Sequence, residues 1–178
     1  MHTIDLSVQT YLSSIHTPAL TKFFLIITNV FEIIPLVLIV LLISILIYRW
    51  YGFKNWILFV GTFGVGEVLV LFLKTIFNID RPLYGFVVET SKSFPSGHAT
   101  AVTVVFVMLT YILARNFSRF YKILFYIVAV TIVTLVSFSR LYLGVHWFSD
   151  VFGGIVLGLI VSYLSVKYFN KYSYLLKD

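Results

Sequence analysis

Between Ser139 and Asp150 the chain places Arg140, His146 and Asp150 in a sequence that is otherwise nearly free of charge. If a helix begins near His146, then His146 and Asp150 are four apart and share a face. A carboxylate there accepts a hydrogen bond from one imidazole nitrogen and leaves the other as an aimed, basic lone pair. Arg140 is permanently cationic, and its planar fork of donors suits the oxygens of a phosphate.

Two upstream clusters carry related chemistry. Lys74 closes an apolar run, and Arg81 stands directly before Pro82, which stops a helix from continuing. Two cations held at that position form an anion clamp. In Pro95-Ser96-Gly97-His98, proline suits a first helical turn, and the small Ser96 and Gly97 let a ligand approach free backbone N–H groups. The result is an anion-binding helix start with a histidine attached.

The elements that must position these clusters follow from composition. Of 178 residues, 60% are hydrophobic and 11% charged, and the mean hydropathy is +1.01. Apolar runs at that density indicate one all-α, polytopic membrane domain over residues 1–178. The net charge of +6 does not indicate a nucleic-acid partner, because the basic residues sit in short loops between apolar runs. Cysteine is absent, which excludes disulfides and thiolate chemistry. The first residues lack a basic segment followed by an apolar core, so no cleavable signal peptide is expected.

Residues 4–15 place Ile4, Val8, Tyr11, Leu12 and Ile15 at helical spacing and predict a short amphipathic interfacial helix. A six-helix transmembrane bundle is expected after it, with crossings over 18–30, 33–50, 55–77, 98–113, 120–138 and 146–169. The run 18–30 is short for a full crossing at about 1.5 Å per residue. With this count, all three polar clusters reach the same membrane face. The opposite face receives Arg49, Lys54, Arg115, Arg119, Lys122, Lys167, Lys171 and Lys177, against the single acid Asp178. The positive-inside rule makes that face, and the C-terminus, cytoplasmic. The clusters then face the extracytoplasmic side of a plasma (inner) membrane.

Lys74-x6-Arg81-Pro82, Pro95-Ser96-Gly97-His98 and Ser139-Arg140-x5-His146-x3-Asp150 together resemble the three-part signature of the type 2 phosphatidic acid phosphatase superfamily, in order and spacing. Members often carry a further arginine before the Arg-Pro pair; Asn78 and Asp80 stand there here, and neither is assigned a phosphate contact. The resemblance implies a membrane lipid phosphatase in which His146 attacks phosphorus, Asp150 holds its ring and His98 protonates the leaving oxygen. It implies that Lys74, Arg81, Arg140 and the N–H groups of Ser96 and Gly97 neutralise the phosphate oxygens. Water then releases phosphate from His146, with His98 as base. No metal or other cofactor is expected, since Glu32, Asp80, Glu89 and Asp150 show no two-metal clustering in the sequence.

The implied substrate is a lipid phosphate or diphosphate: undecaprenyl diphosphate, phosphatidylglycerol phosphate, phosphatidic acid or a lipid A phosphate. A non-catalytic lipid-phosphate binding or flipping protein would keep the cations but has no use for both histidines and Asp150. A phosphatase for a soluble ester is the other alternative; compact outer loops favour a lipid entering between helices. Glu67, two turns before Lys74, either tunes that lysine or bonds a neighbouring helix. Gly61, Gly64, Gly66, Gly154 and Gly158 are read as close helix packing, and His2 and His16 as interfacial.

Overall fold

In the computed structural model, residues 2–83 and 85–172 are described. Among them the chain forms six helices and no strand: α1 (His2–Ser14), α2 (Pro18–Val30), α3 (Ile33–Phe77), α4 (Gly97–Ala114), α5 (Arg119–Tyr142) and α6 (Phe148–Tyr172). Lys177 and Asp178, which enter the charge asymmetry between the two faces, lie outside the described residues. Helices α3 to α6 are long and apolar enough to cross a membrane.

A straight helix of the 45 residues of α3 would be about 68 Å long, twice a bilayer's hydrocarbon thickness of about 30 Å. It is instead two limbs, 33–51 and 53–77, broken at Gly52, whose backbone (φ 80°, ψ 171°) lies in a region essentially restricted to glycine. The two ends of α3 meet in one network: Glu32, its N-cap, pairs with Arg140; Arg140 pairs with Glu89; and Lys74, three residues from the far end, donates to the Ser91–Lys92 segment. The limbs therefore run back along each other, as the separate expectations for 33–50 and 55–77 require. Leu36, Val40 and Ile47 of the first limb and Leu58 and Phe59 of the second share one core with Ala101, Val104, Val105, Met108 and Ile112 of α4.

Helix α4 is the central element, more buried than the other long helices. Its approach to α6 depends on missing side chains. A Cβ at Gly154 would fall 2.6 Å from the Ser96 carbonyl oxygen, and one at Gly158 would fall 2.7 Å from Thr103 Cβ. Gly66 also faces α4, where a Cβ would meet Val104 at 3.4 Å, whereas Gly61 and Gly64 face open space and pack nothing.

The largest departure from expectation concerns α2. Thr17 N–H, at its start, donates to the Tyr142 hydroxyl (3.0 Å), and Thr28, in its last turn, accepts from Arg140. Both ends are thus tied to the last turn of α5, with Phe24 between them packed on Phe138 and Tyr142. At 13 residues, about 20 Å, α2 runs across that end of the bundle and does not traverse it.

Helix α1 lies at the same end, turned differently from the reading by apolar spacing. Val8, Leu12 and Ile15 pack on Ala99, Leu141 and Val151, while Ile4 and Tyr11 are exposed. The packed face also carries Asp5, which accepts from the Ser149 backbone N–H and hydroxyl (both 2.9 Å). Asp5 thereby caps the first turn of α6, where a negative charge also complements the helix dipole.

Candidate active site

The site is assembled where α5 ends and α6 begins. Leu143 caps α5 and Gly144 follows with φ 67°. Gly144 N–H bonds to Leu141 C=O and Val145 N–H to Arg140 C=O, the paired bonds of a Schellman turn. This turn sets the spacing from Arg140, in the last turn of α5, to His146. His146 stands two residues before α6 and not in its first turn, yet its Nδ1 lies 3.3 Å from Asp150 Oδ2. Both residues are buried, at 1% and 0% exposure. A hydrogen bond from Trp147 N–H (2.8 Å) holds the same Asp150 oxygen in place.

Two partners assign the imidazole tautomer. The Asp150 carboxylate only accepts, so Nδ1 carries the proton. Nε2 faces Arg81 Nη1 at 3.2 Å, and a guanidinium only donates, so Nε2 is an unprotonated acceptor. Burial, and after it the charges of Arg81 and Arg140, push the His146 pKa well below the ordinary 6.5. The geometry is that of a neutral imidazole with its lone pair turned toward cations.

These cations are held by the segment between α3 and α4. Arg81 donates to Ser91 C=O (2.7 Å), Ser91 Oγ (3.0 Å) and Val145 C=O (2.9 Å). Lys74 donates to Lys92 C=O and, at 3.4 Å, to Ser91 Oγ. Arg140 is fully buried; its Nη1 reaches Thr28 Oγ1 (2.5 Å) and Glu32 (3.3 Å), and its Nη2 pairs with Glu89. The other Glu89 oxygen is 3.6 Å from Arg81. Lys74, Arg81 and Arg140 are thus offset by Glu32, Glu89 and Asp150, which compensates the charge of three cations gathered at one site.

On the facing side, α4 begins at Ser96, its N-cap, whose hydroxyl accepts from Ala99 N–H at 3.5 Å. The expected anion site here is only half open. Ser96 N–H is donated to the Asp150 backbone carbonyl (3.0 Å) and does not face the cradle. Gly97 N–H, first in the helix, has no intrahelical acceptor. His98 Nε2 is buried 3.3 Å from Glu32 and forms no aligned hydrogen bond.

Geometry thus gathers Lys74, Arg81, Arg140, His146 and Asp150 into one network and brings His98 to it through Glu32. Asp80, given no phosphate role, pairs with Lys92 (2.6 Å), and its carbonyl accepts from Trp147 Nε1–H (2.8 Å).

The model of the PAP2 superfamily matches residues 55–174. The chain belongs to the PAP2 superfamily. It is 39% identical over 123 residues to phosphatidylglycerophosphatase B of Bacillus subtilis (strain 168), covering 66% of this chain and 60% of that protein. To undecaprenyl-diphosphatase of Sulfolobus acidocaldarius it is 38% identical over 122 residues, 67% of this chain and 55% of that one. The matched stretch therefore spans less than two thirds of either relative. A crystal structure of a transmembrane PAP2 type phosphatidylglycerolphosphate phosphatase from Bacillus subtilis superposes with a TM-score of 0.88 at 30% identity, over 96% of this chain and 87% of that one. The fold is that of an integral membrane PAP2 protein.

Several residues of this PAP2 site escape a reading by motif. Glu32 and Glu89 are far apart in the sequence and show no clustering there, yet with His98 they bring ligand-type atoms within 4.8 Å of one another. They converge on Arg140, which pairs with both carboxylates. Ser93, fully buried, donates to Asp150 Oδ2. His16 is tied into the fold: its Nε2–H donates to Tyr142 C=O (2.7 Å) and its ring packs edge-on against Phe86. Glu67 Oε1 is buried without a partner, so that oxygen bonds neither Lys74 nor another helix.

Proposed function

We propose that this PAP2 protein is a membrane lipid phosphatase acting through a phosphohistidine on His146, without a metal. The observation that carries this reading is the arrangement of His146, with Nδ1–H held at Asp150 and the Nε2 lone pair presented to Arg81 inside a cradle of cations. A phosphate entering the cradle displaces Glu89 and takes its place between Arg81 and Arg140. Nε2 attacks phosphorus as the bond to the leaving oxygen breaks, and His98 supplies the proton to that oxygen. Water next attacks the phosphohistidine with His98 as base, and His146 is restored. Lys74, Arg81, Arg140 and the Gly97 amide neutralise the developing charge. Ser96 acts through its hydroxyl cap and the hydrogen bond from its backbone N–H to the Asp150 backbone carbonyl, holding the helix start against the nucleophile.

The substrate is a lipid phosphate or diphosphate drawn from the surrounding membrane lipids. The activities of the relatives make phosphatidylglycerol phosphate and undecaprenyl diphosphate the first to try, with phosphatidic acid and a lipid A phosphate beside them. A groove of about 540 Å³ between α1, Pro82 and Trp147 offers room for the parts of a lipid next to its phosphate.

The proposed topology has five crossings, namely the two limbs of α3 and helices α4, α5 and α6, with α1 and α2 on the side of the active site. The basic ends then place the C-terminus in the cytoplasm and the site outside, in the plasma membrane. The whole chain acts as a single domain.

Phosphate release from these four lipids by detergent-solubilised protein tests the function. Turnover should persist in EDTA, be inhibited by vanadate, and fall about a thousandfold or more in His146→Ala. Loss of turnover in chelator with recovery on adding magnesium would overturn the metal-free mechanism, and a fully active His146→Ala would end the nucleophile assignment.

A further inference from the structure

We propose that Ser93 is a positioning residue for the nucleophile, fixing the His146 ring together with Asp150. This inference rests on His146 being the nucleophile. Ser93 is fully buried, and its backbone N–H donates to Ile79 C=O at 2.8 Å, which fixes the main chain beneath its side chain. Its hydroxyl donates to Asp150 Oδ2, and its Oγ lies 3.3 Å from His146 Nδ1. Asp150 Oδ2 is also 3.3 Å from Nδ1, longer than the roughly 2.7–2.9 Å of a strong charge-assisted bond. Nδ1–H is therefore shared between two oxygens at equal distance. One acceptor alone would leave the ring free to rock about its own axis; two acceptors define its plane and the direction of Nε2.

The placement of the donors separates this role from simple satisfaction of a buried charge. Asp150 Oδ1 is buried without a partner, while Ser93 O–H and Trp147 N–H both bond to Oδ2. Donors serving only to solvate the carboxylate would have gone to the orphaned oxygen. They crowd the one that faces the imidazole. By drawing charge from Oδ2, Ser93 also lowers that oxygen's pull on the Nδ1 proton, which stays on the ring through attack. As Nε2 bonds to phosphorus and the leaving oxygen departs with a proton from His98, the ring becomes cationic, and Ser93 Oγ and Asp150 both face its N–H. Ser93 follows directly on Ser91 and Lys92, which hold Arg81 and Lys74, so one segment positions both the cations and the nucleophile.

Steady-state kinetics on phosphatidylglycerol phosphate and undecaprenyl diphosphate test this with wild type, Ser93→Ala and Ser93→Cys. Ser93→Ala should lower kcat about 10- to 100-fold, the loss usual when an outer partner of a working histidine is removed, with KM changed less than about twofold. Ser93→Cys, nearly isosteric but a weak donor, should fall between the two, and it carries the test should Ser93→Ala fail to fold. In ¹⁵N-histidine spectra, with the His146 signal assigned by its loss in His146→Gln, wild type should show a single tautomer protonated at Nδ1 and Ser93→Ala a mixture. An unchanged kcat in both variants, a rise in KM alone, or the same tautomer in all three proteins would overturn the proposal. If wild type turns over no lipid phosphate, the phosphatase reading fails, while the spectra still report the Ser93 contact.

Discussion

His146 and Glu32 have their charge states set by their surroundings. Burial, reinforced by Arg81 and Arg140, pushes the His146 pKa well below 6.5, so the folded protein keeps the ring neutral where an unfolded chain would protonate it. Glu32, with His98 against it and Arg140 beside it, has its carboxyl pKa lowered from 4.5 to about 2. Both groups are depressed in the folded state, so both contribute stability that is present above the unfolded pKa and lost on acidification. The unfolding temperature in detergent should begin to fall below about pH 6.5 through His146. It should fall further from about 4.5 toward 2 through Glu32. A profile flat from pH 7 to 5 would contradict the buried, neutral His146.

His98 carries a second prediction at this scale. A diphosphate leaves as a phosphate monoester, a weak base, whereas a glycerolipid monophosphate leaves as an alkoxide that needs a proton in the transition state. His98→Ala should therefore give a burst of released lipid monophosphate about equal to enzyme with undecaprenyl diphosphate, then stall at phosphorylated His146. With phosphatidic acid it should give little burst. Equal bursts from both lipids in rapid-quench experiments would remove His98 as general acid.

Among the elements, the segment between α3 and α4 does most to set the properties of the site. Glu89 bridges Arg140 and Arg81, the place that the proposed mechanism gives to phosphate oxygens. A carboxylate there competes with any anion, so Glu89→Gln should tighten vanadate inhibition severalfold; an unchanged or weaker inhibition constant would show that Glu89 and the anion do not compete. The turn of α3 offers a separate test. A Cβ on Gly52 would meet nothing within 4 Å, so only its backbone conformation restricts substitution. Gly52→Ala should cost about 1–3 kcal/mol of stability, read by thermal unfolding in detergent, without altering KM.

For the whole molecule the decisive matter is which end faces outward. The chain has no native cysteine, so single cysteines report topology directly. Val88 is 94% exposed at the site end, and Tyr11 is 66% exposed on α1. Cysteines at both positions should react with an impermeant reagent added outside intact cells. One at Asn116, in the turn between α4 and α5, should react only after the membrane is opened. Protection of the Tyr11 position with labelling of Val88 would restore a crossing by α2, and reversal of all three would turn the site to the cytoplasm.

Local pattern alone determined much of this protein. Long apolar runs can be satisfied only as helices in a membrane, and helices α3 to α6 lie within a few residues of the runs that announce them. Counting crossings from 55 onward brings Lys74, His98 and Asp150 to one face, and the different course of α2 leaves that result intact because α2 lies upstream of all three. Charge type and spacing singled out His146, Asp150 and the cations that the fold gathers into one network. Tertiary structure decided the rest, because the partners are far apart in the chain. The 13 largely apolar residues of Pro18–Val30 read alike whether the helix runs along the bundle or across its end; the contacts of Thr17 and Thr28 with the end of α5 decide for the second. Asp5 finds its two donors only at the start of α6, 144 positions away. Ser93 meets Asp150 across 57 positions and Glu32 meets Arg140 across 108. No periodicity records such pairs, since side-chain hydrogen bonds over that separation exist only once packing has placed both backbones.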